Sequence, residues 1–250
     1  MMNKISAIII TKNEAVNIER CLDSVKWVDE VIVVDSGSTD STRIIAEKAG
    51  ARLYDFEWNG FGPAKEFARI KASGDWILSI DADEVVTSSL AEEIKKAISN
   101  ESGITGYYLP RQTNFQGKWI RHSGWWPDYV LRLFKKSSAR FSDALVHETV
   151  SLDGPSERLQ SILRHYSYPD LSTYMRKLDK YSSLASEKMF RNGAKCRFYH
   201  LLFKPPLVFF RHYLFKAGFL DGWEGFLIAV LSGFGTFLKY ARLKTLQKGR

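Results

Sequence analysis

Cysteine is scarce in this 250-residue chain: Cys21 and Cys196 stand far apart and match no metal-binding spacing. Cys21 falls on an apolar helical face, so a reduced, cytosolic setting is the simple reading. No signal peptide is expected, because Ile5–Ile10 is too short for an h-region and charged residues follow at once. A spanning run is missing too. The longest uncharged stretch near the C-terminus, Gly225–Leu238, has fourteen residues. That is below the roughly 18–20 that cross a bilayer, though such a stretch can lie in one. No repeat or low-complexity segment stands out. The turn after the first apolar run, Thr11–Ala15, holds no glycine, and no P-loop occurs. A dinucleotide fold needs a glycine-rich turn there so that the backbone can approach pyrophosphate. Any diphosphate charge must therefore be neutralised elsewhere.

What is present suits a packed protein. Apolar residues make up 45% of the chain and aromatics 14%, which argues against disorder. The length fits one domain of about 150–200 residues plus an extension. The net charge of +8 is uneven. Residues 1–170 carry 21 Lys/Arg against 24 Asp/Glu, or −3, whereas residues 171–250 carry 15 against 4, or +11. A basic tail meets an anionic partner: membrane, nucleic acid or a phosphorylated acceptor. In the tail, Phe203, Leu207, Phe209, Phe210 and Phe215 interleave with Lys204, Arg211 and Lys216. Such bulky apolar groups favour an anionic membrane surface over nucleic acid. Peripheral attachment to the inner, cytoplasmic face of the cytoplasmic membrane is the expectation.

Taken in order, ISAIIIT (5–11) predicts a buried strand, and Glu14–Val25 a helix with Ile18, Cys21, Leu22 and Val25 on one face. EVIVVD (30–35) predicts a second buried strand ending in an acid, with Asp40 as N-cap of a helix to Ala49. A third strand spans Arg52–Phe56 and a third helix Gly62–Ala72. WILSIDADE (76–84) then delivers Asp81, Asp83 and Glu84 at the carboxyl end of an apolar strand. Ser89 and Glu92 have capping-box spacing for the next helix. This alternation predicts a mostly parallel sheet with helices on both faces. Later, Tyr107–Pro110 and Tyr129–Phe134 read as strands, Phe141–Val150 as another, and 171–192, 198–217 and 223–245 as helices.

Two aspartates separated only by Ala82 can turn toward one divalent cation, and oxygen donors suit magnesium or manganese. An Asx turn with an N-cap is the plainer alternative. IIITKNE, VIVVDSGSTDST, a lysine-bearing helix and WILSIDADE, in this order, resemble the family 2 glycosyltransferases of GT-A fold. The stretch from WWPDYVLRLFKK to ALVHE is similar to the subgroup containing lipopolysaccharide-core β-glucosyltransferases.

The resemblance implies a catalytic domain over 1–165, with a nucleotide-sugar half (1–100) and an acceptor half (101–165), and a membrane-associating helical extension over 166–250. It implies Thr11 and Glu14 lining the nucleoside pocket, Asp35 on the base or ribose, and Lys65 near the diphosphate. Asp83 would be the direct metal ligand and Asp81 its partner, toward the ribose or a metal-bound water. The cofactor would be Mn2+ or Mg2+, the donor UDP-glucose or a relative, and the acceptor a lipopolysaccharide-core or other lipid-linked glycan.

An inverting transfer also needs a base for the acceptor hydroxyl. The E-D pair many relatives use is missing from the second half of the chain. Glu148, supported by His147, is the favoured base and Asp128 the runner-up. Two other functions compete. A nucleotidyltransferase would need a Gly/Arg/Lys-rich first loop, which TKNEAVN is not. A non-catalytic, membrane-associated nucleotide-sugar-binding module would keep the fold alone.

Overall fold

A computed structural model describes residues 3–100, 103–142 and 150–248. Two compact units emerge: Met1–Arg111 with Asp128–Tyr166, and Gln112–Pro127 with Ser167–Arg250.

The expected alternation opens the first unit: β1 (Ile5–Thr11), α1 (Ile18–Ser24), β2 (Glu30–Asp35), α2 (Thr42–Lys48), β3 (Arg52–Asp55), α3 (Phe61–Lys71), β4 (Trp76–Asp81), β5 (Glu84–Val86) and α4 (Ser88–Ser99). Seven further strands follow: β6 (Gly106–Phe115), β7 (Lys118–Trp119), β8 (Asp128–Lys135), β9 (Ala139–Phe141), β10 (Val150–Leu152), β11 (Ser156–Arg158) and β12 (Leu163–Tyr168). The main sheet runs β3-β2-β1-β4-β8-β6-β12-β5, with β7 and β11 pairing with β6. Its first four strands are parallel, and β8 joins β4 antiparallel.

Burial on both faces explains the unbroken apolar runs. Ile9, Val33, Leu78 and Ile80 cluster with Ile18, Cys21 and Leu22 of α1 and with Leu90 and Ile94 of α4. Ile8, Ile10, Ile32, Val34 and Ile77 cluster instead with Ala64 and Ala68 of α3. Because β1 has β2 on one side and β4 on the other, the chain reverses its direction of travel across the sheet there. Open α/β sheets bind ligands at the carboxyl ends beside such a switch point. The register sets Thr11 opposite Asp35 and Ile10 opposite Asp81, so the acids reach that edge together.

Several element ends differ from expectation, for local reasons. α1 starts at Ile18, because the amides of Asn17 and Ile18 both donate to the Glu14 carbonyl at 2.8 Å in a preceding turn. Side chains of the next loop hold that turn: Thr42 Oγ1 accepts from Glu14 N at 2.8 Å and Asp40 from Ala15 N at 3.1 Å. Asp40 also accepts from Thr42 N at 3.0 Å, one residue ahead of the helix cap at Ser41. Thr87, not Ser89, caps α4, accepting from Leu90 N at 3.3 Å, because the short β5 brings the chain there directly. In place of one strand over Phe141–Val150, β9 and β10 pair antiparallel, with Phe141 opposite Val150. Residues 143–149, including His147 and Glu148, lie outside the described residues.

The second unit contains the end of β6, β7 and the helices α5 (Leu171–Arg191), α6 (Phe198–Phe210) and α7 (Gly222–Lys248). The expected 198–217 helix passes into a π turn at Arg211–Phe215 and a 3-10 turn at Gly218–Asp221. Phe115, Ile120, Tyr174 and Ile228 form its core, and Trp125 packs there 5.9 Å from the Phe115 ring. Trp125 is thus a packing residue. Buried Asp221 accepts from the amides of Arg121 at 3.1 Å and His122 at 2.9 Å, so this loop is held from within its own unit. α6 comes close to α7 at Gly233, where an added Cβ would lie 2.9 Å from the Pro205 carbonyl.

Candidate active site

The carboxyl ends of β1, β2 and β4 and the strand β5 assemble the candidate site. After β2 the chain turns at Gly37, whose φ of +80° suits glycine. This turn wraps Asp35, which is fully buried and accepts from Gly37 N at 3.1 Å, Ser38 N at 2.9 Å and Arg43 at 3.0 Å. Burial would raise its pKa, but the Ser38 hydroxyl and amide and the Arg43 guanidinium outweigh it and hold the carboxyl below its usual range. Asp35 therefore organises the β2–α2 loop. The hydroxyls of Thr11 and Ser36 beside it are buried and have no hydrogen-bond partner. Orphaned donors at strand ends are what a bound polar ligand would satisfy. Glu14 accepts from Asn17 Nδ2 at 2.7 Å within the first turn.

Asp81 stands between two cations. Lys65 of α3, only 1% exposed, reaches it at 2.8 Å, and Arg132 of β8 pairs with its other oxygen. Burial would raise the Asp81 pKa, but Arg132 and then Lys65 overcome it and hold the carboxyl well below the ordinary range. Glu84 has no exposed surface; it accepts from Arg132 at 2.7 Å, from Asp81 N at 2.9 Å and from Arg111 at 3.3 Å. Its partners close the β4–β5 turn around Ala82 and fix the carboxylates on either side. The role left open for Glu84 in the sequence is thus internal counter-ion.

Asp83 has different company. His165 Nε2 of β12 lies 3.2 Å from its Oδ2, and both side chains are partly accessible. The Asp83 carbonyl also accepts from Tyr166 N at 2.8 Å, which ties β12 to the turn. A carboxylate and an imidazole side by side fit a divalent cation. Among the described residues no group of three His, Cys, Asp or Glu is placed to hold a metal. The pair therefore fits a cation that fills its remaining positions with phosphate oxygens and water, the habit of magnesium and manganese. Asp81, neutralised by Lys65 and Arg132, is less suited as a second ligand.

Asp128 accepts from Arg111 at 2.7 and 3.0 Å on one oxygen, and 42% of its side chain is exposed. Cys21 lies under the site with Sγ 3.5 Å from the Asp81 carbonyl. Burial first, then Glu84, Asp83 and Asp81, push its thiol pKa well up, which leaves it unreactive. Sequence reasoning missed Arg111, Arg132 and His165. The arginines had a signal: each interrupts an apolar strand, LPRQ and VLRLF, where a lone charge requires a buried partner. His165 had none.

The chain is similar to known proteins. The family described as glycosyl transferase family 2 matches residues 6–149. An uncharacterized glycosyltransferase of Rickettsia felis is 33% identical over 255 residues, covering 97% of this chain and 90% of that protein. The lipopolysaccharide core biosynthesis glycosyltransferase LpsC of Rhizobium meliloti is 30% identical over 252 residues, covering 96% and 91%. Among solved structures, S. aureus TarS 1–349 in complex with UDP-GlcNAc superposes with a TM-score of 0.51 at 14% identity, covering 99% of this chain and 92% of that one. At that identity the likeness speaks for a GT-A-type fold alone.

Proposed function

The chain belongs to glycosyl transferase family 2 and is a glycosyltransferase, and we propose that it moves a sugar with inversion from a nucleoside diphosphate donor to a lipopolysaccharide-core or other lipid-linked glycan. UDP-glucose is the first donor to test, and the inner face of the cytoplasmic membrane the place of action. The observation that carries the reading is the Asp83–His165 pair beside an Asp81 pinned by Lys65 and Arg132. The relative named for lipopolysaccharide core biosynthesis supports the acceptor class.

In this reading Thr11 and Ser36 offer their unpartnered hydroxyls to the nucleoside, on loops held in place by Asp35, Asn13 and Asp40. Glu14 lines the same pocket. Lys65 and Arg132 keep Asp81 ionised and immobile, facing the ribose or a metal-bound water. Asp83 and His165 would hold Mn2+ or Mg2+, which would supply positive charge to the departing diphosphate. An acceptor oxygen forms its bond to the anomeric carbon as the bond to the diphosphate breaks, and the diphosphate leaves with the electron pair. Glu148 takes the acceptor proton, with His147 in support. Asp128, occupied by Arg111, suits anchoring the acceptor better than accepting a proton.

The test is a panel of nucleotide sugars read by thermal shift with and without manganese, followed by donor hydrolysis and transfer assays on Glu148→Gln. Manganese-dependent stabilisation by a uridine donor is expected, with donor binding retained and transfer lost in the variant. Failure of every nucleotide sugar to stabilise the protein would refute the donor assignment. Near-normal turnover in Glu148→Gln would move the base to Asp128.

A further inference from the structure

We propose that the outward face of α6 and of the turns that follow it, from Phe198 to Trp223, is a monotopic insertion surface for anionic lipid, with α7 packed behind it rather than crossing the bilayer. The inference deepens the membrane-associated reading above and rests on it.

A helix on the surface of a soluble protein turns charges to water. α5 does so, exposing Arg176, Lys180, Glu187 and Lys188. α6 reverses the pattern. None of its residues is buried, and along α6 and the π turn that follows the exposed positions recur in pairs at 198/199, 202/203, 206/207, 210/211 and 214/215. Every one except Pro206 and Arg211 is a bulky aromatic or aliphatic residue. Phe215 is 84% exposed, Phe198 76%, Leu207 65% and Trp223 64%. The other face of α6 is the one that meets α7: Lys204 Nζ donates to Tyr240 at 2.6 Å, and the Phe209 ring lies 6.0 Å from that of Phe226. The bulky face thus points away from its own unit. An exposed apolar surface of this extent marks an interaction site.

Charge selects the occupant. Residues 188–220 hold seven Lys/Arg and no Asp or Glu. A second copy docking on this face would set that charge against itself, which disfavours a homodimer. Anionic headgroups complement it, and aromatic and aliphatic side chains enter the acyl boundary beneath them. α7 does not fit a span. The segment Gly218–Lys248 has the length and mean hydropathy of one, but its uncharged stretch, Gly225–Leu238, is fourteen residues. At 1.5 Å per residue that rises about 21 Å, short of a hydrocarbon core of roughly 30 Å. Ile228, Ala229 and Gly233 on it are buried inside the unit.

Flotation of the full chain with phosphatidylcholine vesicles, with and without phosphatidylglycerol, tests the proposal together with a Leu207→Ser/Phe215→Ser variant. The wild type is expected to float with the anionic vesicles at low salt. The variant should partition at least about tenfold more weakly, with unchanged melting temperature and unchanged donor hydrolysis. Both native cysteines are buried, so an environment-sensitive dye on Phe215→Cys reports insertion locally. Its emission should shift to the blue on anionic vesicles, while a dye on Lys180→Cys should not. A wild type that stays unbound overturns the membrane reading and this one with it. Wild-type binding that the variant retains in full overturns the insertion surface alone. So does a dimer in solution that the variant abolishes without any loss of lipid binding.

Discussion

The two units place their arginine–carboxylate pairs in opposite ways. In the first, Lys65, Glu84 and Arg132 are buried, and Asp81 is locked between two cations. In the second, the comparable arginine–carboxylate pair, Arg242 with Asp179, sits at the surface with side chains 31% and 68% exposed, while phenylalanines face outward. Each unit breaks the ordinary burial rule, one by sealing charges inside and the other by leaving apolar groups outside. Desolvating four charged groups around the β4–β5 turn is costly, and here it fixes carboxylates where the proposed function brings charge to a diphosphate. The same pair of functional groups therefore means rigidity in one unit and little in the other. That difference can be measured.

The largest effect should come from Arg132→Met. It strips Glu84 of its nearest cation, leaving only Arg111 at 3.3 Å and the Asp81 amide. Breaking a buried pair from one side costs about 3–5 kcal/mol, and urea unfolding should show a loss of that order. Adding Glu84→Gln should recover most of it, because the stranded charge is then gone. A loss below about 1 kcal/mol would put this pair in the same class as a surface pair. Next comes Asp83→Asn, or His165→Gln. With the charge network untouched, stability should hold, but the manganese needed for donor binding should rise by about 10–100-fold. A UDP thermal-shift titration against manganese reads it, and an unchanged midpoint in both variants would remove the pair as the metal site.

The strands of the first unit were legible because burial on both faces writes an unbroken apolar run, and ISAIIIT, EVIVVD and WILSID each carry one. The carboxylates were legible because they end those runs. The division of labour between Asp83 and Asp81 was implied only by the family resemblance, not by the residues themselves. Whether Asp81 or Asp83 faces a cation depends on Lys65 from α3, Arg132 from β8 and His165 from β12. No local pattern reports contacts made across 16 to 82 residues of chain, as those pairs are. β12 was missed for a related reason. LRHYSY mixes polar and apolar residues, because only Leu163 and Ser167 in it are buried. In the tail, composition exposed the clash of basic and apolar residues, but only the packing of α6 on α7 tells which side faces out.

The acid limb of the stability curve offers a smaller effect. Asp81 has a folded-state pKa held below its unfolded value by Arg132 and Lys65. Its contribution is therefore complete above the ordinary aspartate value of about 3.9 and lost as pH falls through the lower folded value. Asp81→Asn should lower stability at neutral pH. The gap from wild type should persist unchanged down to about pH 4 and close only below it. Chemical unfolding across that range checks the sign. A gap that closes already near pH 6 would mean that the carboxyl is not held ionised by its neighbours.

The smallest effect should come from Asp179→Ala in the second unit. Arg242 also donates to the Asp179 carbonyl at 2.7 Å and to the Ser182 hydroxyl, so its guanidinium keeps partners when the carboxylate goes. Solvent reaches both groups, and neither is left as a sealed charge. The loss should lie within about 0–1 kcal/mol and shrink further as salt is added. Thermal melts at low and high ionic strength measure both features. A salt-independent loss as large as that of Arg132→Met would erase the contrast between the units, because it would give a solvated pair the energetics of a buried one.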